Sequence, residues 1–127
     1  MTREMFNIEL NGKEFELFYR AAKEMLRQEE KEWHGPSGER VRARKLFELL
    51  EENRKSAHNI DFAGSETVAF EFELGPKELL TAYEATAEAV KSHFVLDEAK
   101  IIYRRLRIMI RRLFKKTELG KRTNLAA

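Results

Sequence analysis

The amino-acid sequence predicts an α+β protein that is predominantly α, with two short strands and four helices. Two short stretches alternate apolar and polar residues, as half-buried strands do, while four longer ones repeat apolar residues at helical spacing. A strand followed by two helices also occurs in each half of the chain. With 127 residues, of which 43% are hydrophobic, the chain can form one globular domain over residues 1–127.

The first half begins with a strand and a long helix. Residues 6–10 alternate, which places Phe6, Ile8 and Leu10 on one face of a strand. The following Asn-Gly pair is also typical of a β-hairpin. A helix is the better prediction, because apolar residues recur at helical spacing over a stretch too long for a returning strand. We therefore predict a helix from Lys13 to Trp33.

A second helix is predicted from Glu39 to Arg54, after a Gly-Pro-Ser-Gly sequence that ends the first. Its predicted buried residues are Val41, Ala43, Leu46, Phe47 and Leu50. The polar stretch 56–65 is predicted to be a loop in which Ile60 and Phe62 point inward.

The second half repeats this order. Residues 67–74 alternate, with Val68, Phe70, Phe72 and Leu74 on one face, and predict the second strand. Gly75-Pro76 ends that strand, and proline is favourable in the first turn of a helix. We predict a third helix from here to His93. Its predicted buried residues are Leu79, Ala82, Tyr83, Thr86, Ala89 and Val90.

A basic helix is predicted from Asp97 to Lys116. Acids at its start and lysines at its end suit the helix dipole. One face is apolar and is expected to face the core: Ala99, Ile102, Tyr103, Leu106, Met109, Ile110, Leu113 and Phe114. Two basic flanks border this face: Lys100, Arg104, Arg105, Arg107, Arg111, Arg112, Lys115 and Lys116. Ile101 and Ile108 lie between the flanks, about opposite the core face.

The flank of Arg104, Arg107 and Arg111 is predicted to point away from the core, so that replacing it with glutamates would leave the fold intact. Basic residues at the start of the second helix extend the patch: Arg40, Arg42, Arg44 and Lys45. Residues 118–127 are predicted to be a tail, frayed from Leu119 onward.

Charge is distributed unevenly along the chain. Residues 1–99 contain 14 Lys and Arg against 21 Asp and Glu, whereas residues 100–127 contain 10 against one. This polarity predicts an anionic partner for the C-terminal segment, or its pairing with acidic surface on the same or a neighbouring chain. There is no cysteine, no apolar run of membrane-spanning length and no signal peptide, so the expected location is the cytoplasm.

The two halves align when Phe6 is set on Phe70. Residues 6–27 then match residues 70–91 at 8 of 22 positions without a gap. Two amphipathic strand–helix units that share a period would share residue types, and this explanation remains open. The alternative is an internal repeat of residues 4–63 and 68–127, whose strands would pair about a pseudo-twofold axis.

Strand–helix–helix units that pair through their strands are similar to those of the ribbon-helix-helix DNA-binding proteins. Two features of this chain depart from that family. Its helices are longer, and its ribbon would present Asn7, Glu9, Glu71 and Glu73, whose carboxylates a phosphate-lined groove repels. We therefore do not assign the chain to the family, and the strands are poor candidates for contacting nucleic acid.

Catalytic and metal-binding patterns are weak. Glu30 with His34, and His93 with Asp97, have the spacing of one helical turn but supply only two ligands each. His58 lies near serines and an aspartate, but no nucleophile elbow accompanies them. Phosphate-binding and dinucleotide-binding glycine motifs are absent from the sequence. We expect a non-enzymatic protein without a metal or cofactor.

The expected function is nucleic-acid binding, to DNA or RNA, through the basic helix of a small regulatory or mobile-element (phage) protein that forms a homodimer. Arginines outnumber lysines in this helix, and arginine suits bidentate contact with phosphate. Two alternatives remain. Ile101, Ile108 and the arginines could instead dock on an acidic protein partner or a second copy, as in an adaptor or assembly factor. The arginines could also pair with glutamates of neighbouring helices in a solvated surface.

Overall fold

The computed structural model describes residues 4–31, 38–56 and 69–122. The predicted α+β, mainly helical class is confirmed. In chain order the elements are β1 (Phe6–Asn11), α1 (Gly12–Lys31), α2 (Gly38–Ser56), β2 (Ala69–Leu74), α3 (Pro76–Lys91), α4 (Asp97–Lys115) and α5 (Glu118–Arg122). Trp33, His34, His58, Ile60, Phe62 and Val68 lie outside the described residues, so the predictions about them stay predictions.

The two strands form an antiparallel ribbon. Phe6 lies opposite Leu74, Ile8 opposite Phe72 and Leu10 opposite Phe70. Because side chains alternate across a strand, these residues share the face that packs on the helices, and all are buried or half-buried. The opposite face is exposed, as predicted, and carries Asn7, Glu9, Glu71 and Glu73.

A capping box starts α1 directly after β1. The Asn11 side-chain oxygen accepts a hydrogen bond from the Glu14 backbone N–H at 2.8 Å, and the Glu14 carboxylate accepts one from the Asn11 N–H at 2.9 Å. This exchange satisfies two backbone donors that a helix start would otherwise leave unpaired. The Asn-Gly pair therefore begins a helix and not a hairpin.

The second half enters its helix differently. Gly75 is extended and has no side chain to cap α3, but Pro76 occupies the first turn, where its missing N–H costs nothing. The Gly75 carbonyl accepts the first helical hydrogen bond, from the Leu79 N–H at 2.9 Å. Strand and helix thus join without a loop in both halves.

Aromatic side chains fill the space between the ribbon and the helices. The ring of Phe15 stacks on that of Phe70 with centroids 4.1 Å apart, and meets Phe72 edge-on at 6.1 Å. Phe18 also packs on Phe72, at a centroid distance of 6.2 Å. The helices complete this core in pairs, α1 with α2 and α3 with α4, and α1 also packs on α3.

Outside α4, two sequence predictions are wrong in the described residues. Val41 was expected in the core, but it is 52% exposed, because it lies on the solvent side of α2 with exposed Arg44 and Lys45. Leu119 was expected to begin a frayed tail, but Glu118–Arg122 form a short helix that packs on α4 and α3. Tertiary contacts, and not helical periodicity, order this short helix.

The internal repeat stays a prediction, although several features agree with it. Ile8 and Phe72, which face each other at the middle of the ribbon, are also matched to each other when the two halves are aligned. The same alignment sets the start of α1 at Gly12 on the start of α3 at Pro76. None of the helices in the described ranges is long and apolar enough to cross a membrane.

Candidate nucleic-acid interface

The core face of α4 lies where the sequence places it. Tyr103, Leu106, Ile110 and Phe114 are buried, and the other four predicted core residues are half-buried. This face packs mainly on α3. The hydroxyl of Tyr103 reaches α1, where it donates a hydrogen bond to the Leu17 carbonyl at 2.6 Å. The opposite face of α4 is therefore fixed toward solvent.

The predicted basic residues divide into two groups. Five are exposed: Arg104, Arg105, Arg112, Lys115 and Lys116. Three are half-buried: Lys100, Arg107 and Arg111. The expectation that the whole flank of Arg104, Arg107 and Arg111 points away from the core is wrong, because only Arg104 does so.

Arg107 is held by the neighbouring helix. Its guanidinium lies over the ring of Tyr83, 4.7 Å from the ring centre, and donates a hydrogen bond to the Tyr83 hydroxyl at 2.7 Å. Stacking of a cation on an aromatic face is favourable by about 0.5–2 kcal/mol. The Nε atoms of Arg107 and Arg111 are buried and have no hydrogen-bond partner among the described residues. A glutamate at Arg107 would thus place a carboxylate against the Tyr83 ring and disturb the packing of α3 on α4.

Within the described part of the chain, no acid forms an ion pair with the basic residues of α4. Across residues 4–31, 38–56 and 69–122, none of the eight predicted cations forms an ion pair. The ion pairs that do form join Glu16 to Arg20 and Arg54, for example, on α1 and α2. The hypothesis that the arginines of α4 pair with glutamates of neighbouring helices therefore fails in this part of the chain.

Two isoleucines interrupt the exposed basic residues. Ile101 is 51% exposed and Ile108 53%, and both lie opposite the core face, as their angular positions predict. Together, the exposed residues of this face form what we call the outer face of α4: Ile101, Arg104, Arg105, Ile108, Arg112 and Lys115. It is a narrow apolar ridge with guanidinium groups on either side.

Helix α5 extends the positive charge past the end of α4. Buried Thr117 starts it, because its hydroxyl accepts a hydrogen bond from the Gly120 N–H at 2.8 Å and donates one to the Phe114 carbonyl at 2.6 Å. The Glu4 carboxylate accepts a hydrogen bond from the Glu118 N–H at 3.2 Å. The exposed Lys121 and Arg122 are thereby held close to the end of α4.

No protein-family model matches the chain, and no curated protein or solved structure shows significant similarity to it. The chemistry of the exposed surface of α4 is therefore the guide to function.

The described residues contain no group of three or more potential metal ligands. His93 is exposed beside the start of α4, and the other two histidines lie outside the described residues. The pairing of Arg107 with Tyr83 is a feature that sequence analysis missed. Both residues lie on the helix faces where the sequence predicts them. Their contact depends on how α3 and α4 cross, and helical periodicity does not predict that crossing.

Proposed function

We propose that this protein binds nucleic acid, without catalysing a reaction, through the outer face of α4. The observation that carries the proposal is the row of exposed arginines without ion-pair partners among the described residues. Cations that are not already paired can neutralise phosphates and release their counterions, which is the main source of non-specific affinity for nucleic acid. The planar guanidinium group is suited to such contacts.

The charges of the ribbon support the use of α4. Glu9 lies directly opposite Glu71, and both are exposed with Glu73 on the outer side of the ribbon. A negative surface repels phosphates, so it disfavours contact there and leaves α4 as the more favourable surface.

The proposal is tested with the variant Arg104→Glu, Arg105→Glu, Arg112→Glu. All three side chains are exposed, so circular dichroism should match the wild type while binding to random DNA and RNA is lost in electrophoretic shift assays. The variant Lys23→Glu, Arg27→Glu, Lys77→Glu is a matched control, since it makes the same change in net charge at exposed positions of α1 and α3. Retained affinity in the α4 variant, or an equal loss in the control, would contradict the proposal.

A protein partner is the second candidate, and the exposure of Ile101 and Ile108 is the observation that favours it. An acidic, partly apolar surface could cover the ridge and pair with the arginines beside it. The two candidates differ in their response to salt, because phosphate binding weakens steeply as salt increases and a packed interface much less. Binding assays at two salt concentrations separate them.

A further inference from the structure

Helices α2 and α4 occupy equivalent environments in the two halves. When Val41 is set on Ile101, every residue from Val41 to Asn53 is buried, half-buried or exposed in the same way as its counterpart in α4. The packing is also reciprocal, because α2 contacts α1 and α3 while α4 contacts α3 and α1. The two helices therefore turn equivalent positions to solvent.

A pair of tyrosines shows the same equivalence. Tyr19 on α1 and Tyr83 on α3 are matched in the alignment of the two halves, as are the strands that precede them. Tyr19 packs on Phe47 of α2 at a centroid distance of 5.4 Å, and Tyr83 packs on Arg107 of α4. Phe47 and Arg107 are themselves counterparts when α2 is set on α4. The contact between helices is thus retained although the residue types differ.

Three exposed positions share their chemistry between the helices. Val41 is 52% exposed and corresponds to Ile101 at 51%. Exposed Arg44 and Lys45 correspond to exposed Arg104 and Arg105. Packing explains why the buried positions agree, but it makes no demand on exposed ones. A β-branched residue followed by two cations at both sites indicates a shared use of the surface.

The chemical similarity of the exposed residues ends after these three positions. Exposed Glu48 and Glu52 of α2 stand where α4 has Ile108 and Arg112. Carboxylates at these positions would repel phosphates, so α2 offers a shorter contact surface than α4 and should contribute less to affinity.

The exposed side chains also favour a double-stranded over a single-stranded nucleic acid as the ligand. Proteins that hold single strands use exposed aromatic rings on which the bases stack. The exposed positions described on α2 and α4 carry no aromatic residue, and their apolar members are aliphatic. The exposed ring of Phe94 lies in the turn before α4, outside both helices. A double helix holds its phosphates at fixed positions, so two sites on one folded core can contact it at the same time.

We propose that Val41, Arg44 and Lys45 form a second contact site, and that α2 and α4 together bind one double helix through its phosphate backbone. This inference rests on the proposed function and goes beyond it, since it assigns a second site and selects double-stranded nucleic acid.

The test compares three charge-reversed variants of the full chain. The α2 variant is Arg44→Glu, Lys45→Glu, the α4 variant is Arg104→Glu, Arg105→Glu, and the control is Lys23→Glu, Lys77→Glu. The probes are a random 20-base-pair DNA duplex, the corresponding RNA duplex and a single DNA strand of equal length. Each phosphate contact contributes about 0.9 to the slope of log affinity against log salt. We expect the α2 and α4 variants each to lower the duplex slope by about 2 relative to the control.

Several results would overturn the inference. An α2 variant that binds duplex as the control does, while the α4 variant does not, would leave the proposed function standing and remove the second site. Tighter binding of the single strand would overturn the selection of duplex, and two duplexes bound per chain by sedimentation would show that the sites act separately. If the wild type binds none of the probes, the proposed function itself fails. The milder variant Arg44→Gln, Lys45→Gln replaces the α2 variant if circular dichroism shows misfolding.

Discussion

Tyr103 is a buried phenol, and its raised pKa makes the stability of the fold depend on pH in the alkaline range. Burial is the main cause that raises the pKa of Tyr103 from 10.0 to about 12, while nearby Arg20 lowers the pKa and Glu16 raises it. Since the pKa is higher in the folded state, the unfolded chain loses this proton first as pH rises. The contribution to stability is complete below pH 10 and is lost between pH 10 and about 12. We expect the free energy of unfolding, measured by denaturant titration, to fall over this range.

The variant Tyr103→Phe isolates this effect, because the lysines that also titrate in the range are unchanged. It should be less stable at neutral pH by about 1 kcal/mol, the usual value of a lost hydrogen bond, here the one to the Leu17 carbonyl. Between pH 10 and 12 it should lose less stability than the wild type. Parallel curves for the two proteins would show that Tyr103 does not carry the dependence.

Individual residues also show what helical periodicity can and cannot predict. Periodicity assigns Ile101 and Ile108 correctly to the side of α4 opposite the core. It places Arg107 on a flank, but whether a flank residue is exposed depends on the neighbouring side chain, and here the Tyr83 ring covers it. Val41 fails for a related reason, since no described helix covers the start of α2 on that side.

At the scale of whole elements, the start of α1 could have been identified from sequence with greater precision. Asn11 and Glu14 have the spacing of a capping box, and this pattern distinguishes a helix start from a hairpin turn. Helix α5 is different, because one of the hydrogen bonds at its start comes from Glu4 at the opposite end of the chain. Local sequence patterns do not predict a contact between residues so far apart in the chain.

The docking of α5 requires a glycine at position 120. A Cβ atom there would lie 1.8 Å from the Phe114 carbonyl oxygen, a backbone atom at the end of α4. We expect Gly120→Ala to displace α5 and to lower the free energy of unfolding by about 1–3 kcal/mol, as overpacking usually does. Chemical denaturation measures the difference.

Gly75→Ala is the matched control for this prediction. Its Cβ would meet the flexible end of Glu78 at 3.2 Å, and the Gly75 backbone is extended, so alanine fits with little adjustment. We expect a change close to zero. Equal losses in the two variants would mean that the contact with Phe114 does not explain the requirement at Gly120.

For the whole molecule, the exposed isoleucines raise the question of self-association. The sequence predicts a homodimer in which Ile101 and Ile108 form a short apolar contact between two copies. Light scattering should then give a mass above 15.0 kDa for the wild type and 15.0 kDa for Ile101→Lys, Ile108→Lys. The double variant would bury unpaired charges at the contact, which costs several kcal/mol.

Val41→Lys serves as the control for self-association, because Val41 is exposed to the same extent on α2. It should leave the mass of the wild type unchanged. A wild type that already runs at 15.0 kDa would exclude the homodimer contact and assign the ridge to another partner. Self-association and nucleic-acid binding would use the same face of α4, so added duplex should lower the proportion of dimer.

The sequence alone predicts the fold class, the two strands, the four long helices and most of the core, because hydrophobic periodicity indicates which face of an element is buried. The charge of α4 was equally visible. The sequence does not predict that, among the described residues, the arginines of α4 have no acid paired with them. Glutamates are abundant in α1, α2 and α3, but only the fold shows that Glu16, for example, pairs with Arg20 and Arg54 instead.

The pairing of β1 with β2 also bears on the order of folding. Asn11 and Ala69 are the ribbon partners closest in sequence, and α1 and α2 lie between them in the chain. Even the first hydrogen bond between the strands therefore closes a long loop. The pairs α1–α2 and α3–α4 are local and incur a much smaller loss of loop entropy. Helical pairs should therefore assemble early, with the ribbon closing after the transition state. The ribbon would then affect mainly the unfolding rate of the protein and have little effect on its folding rate.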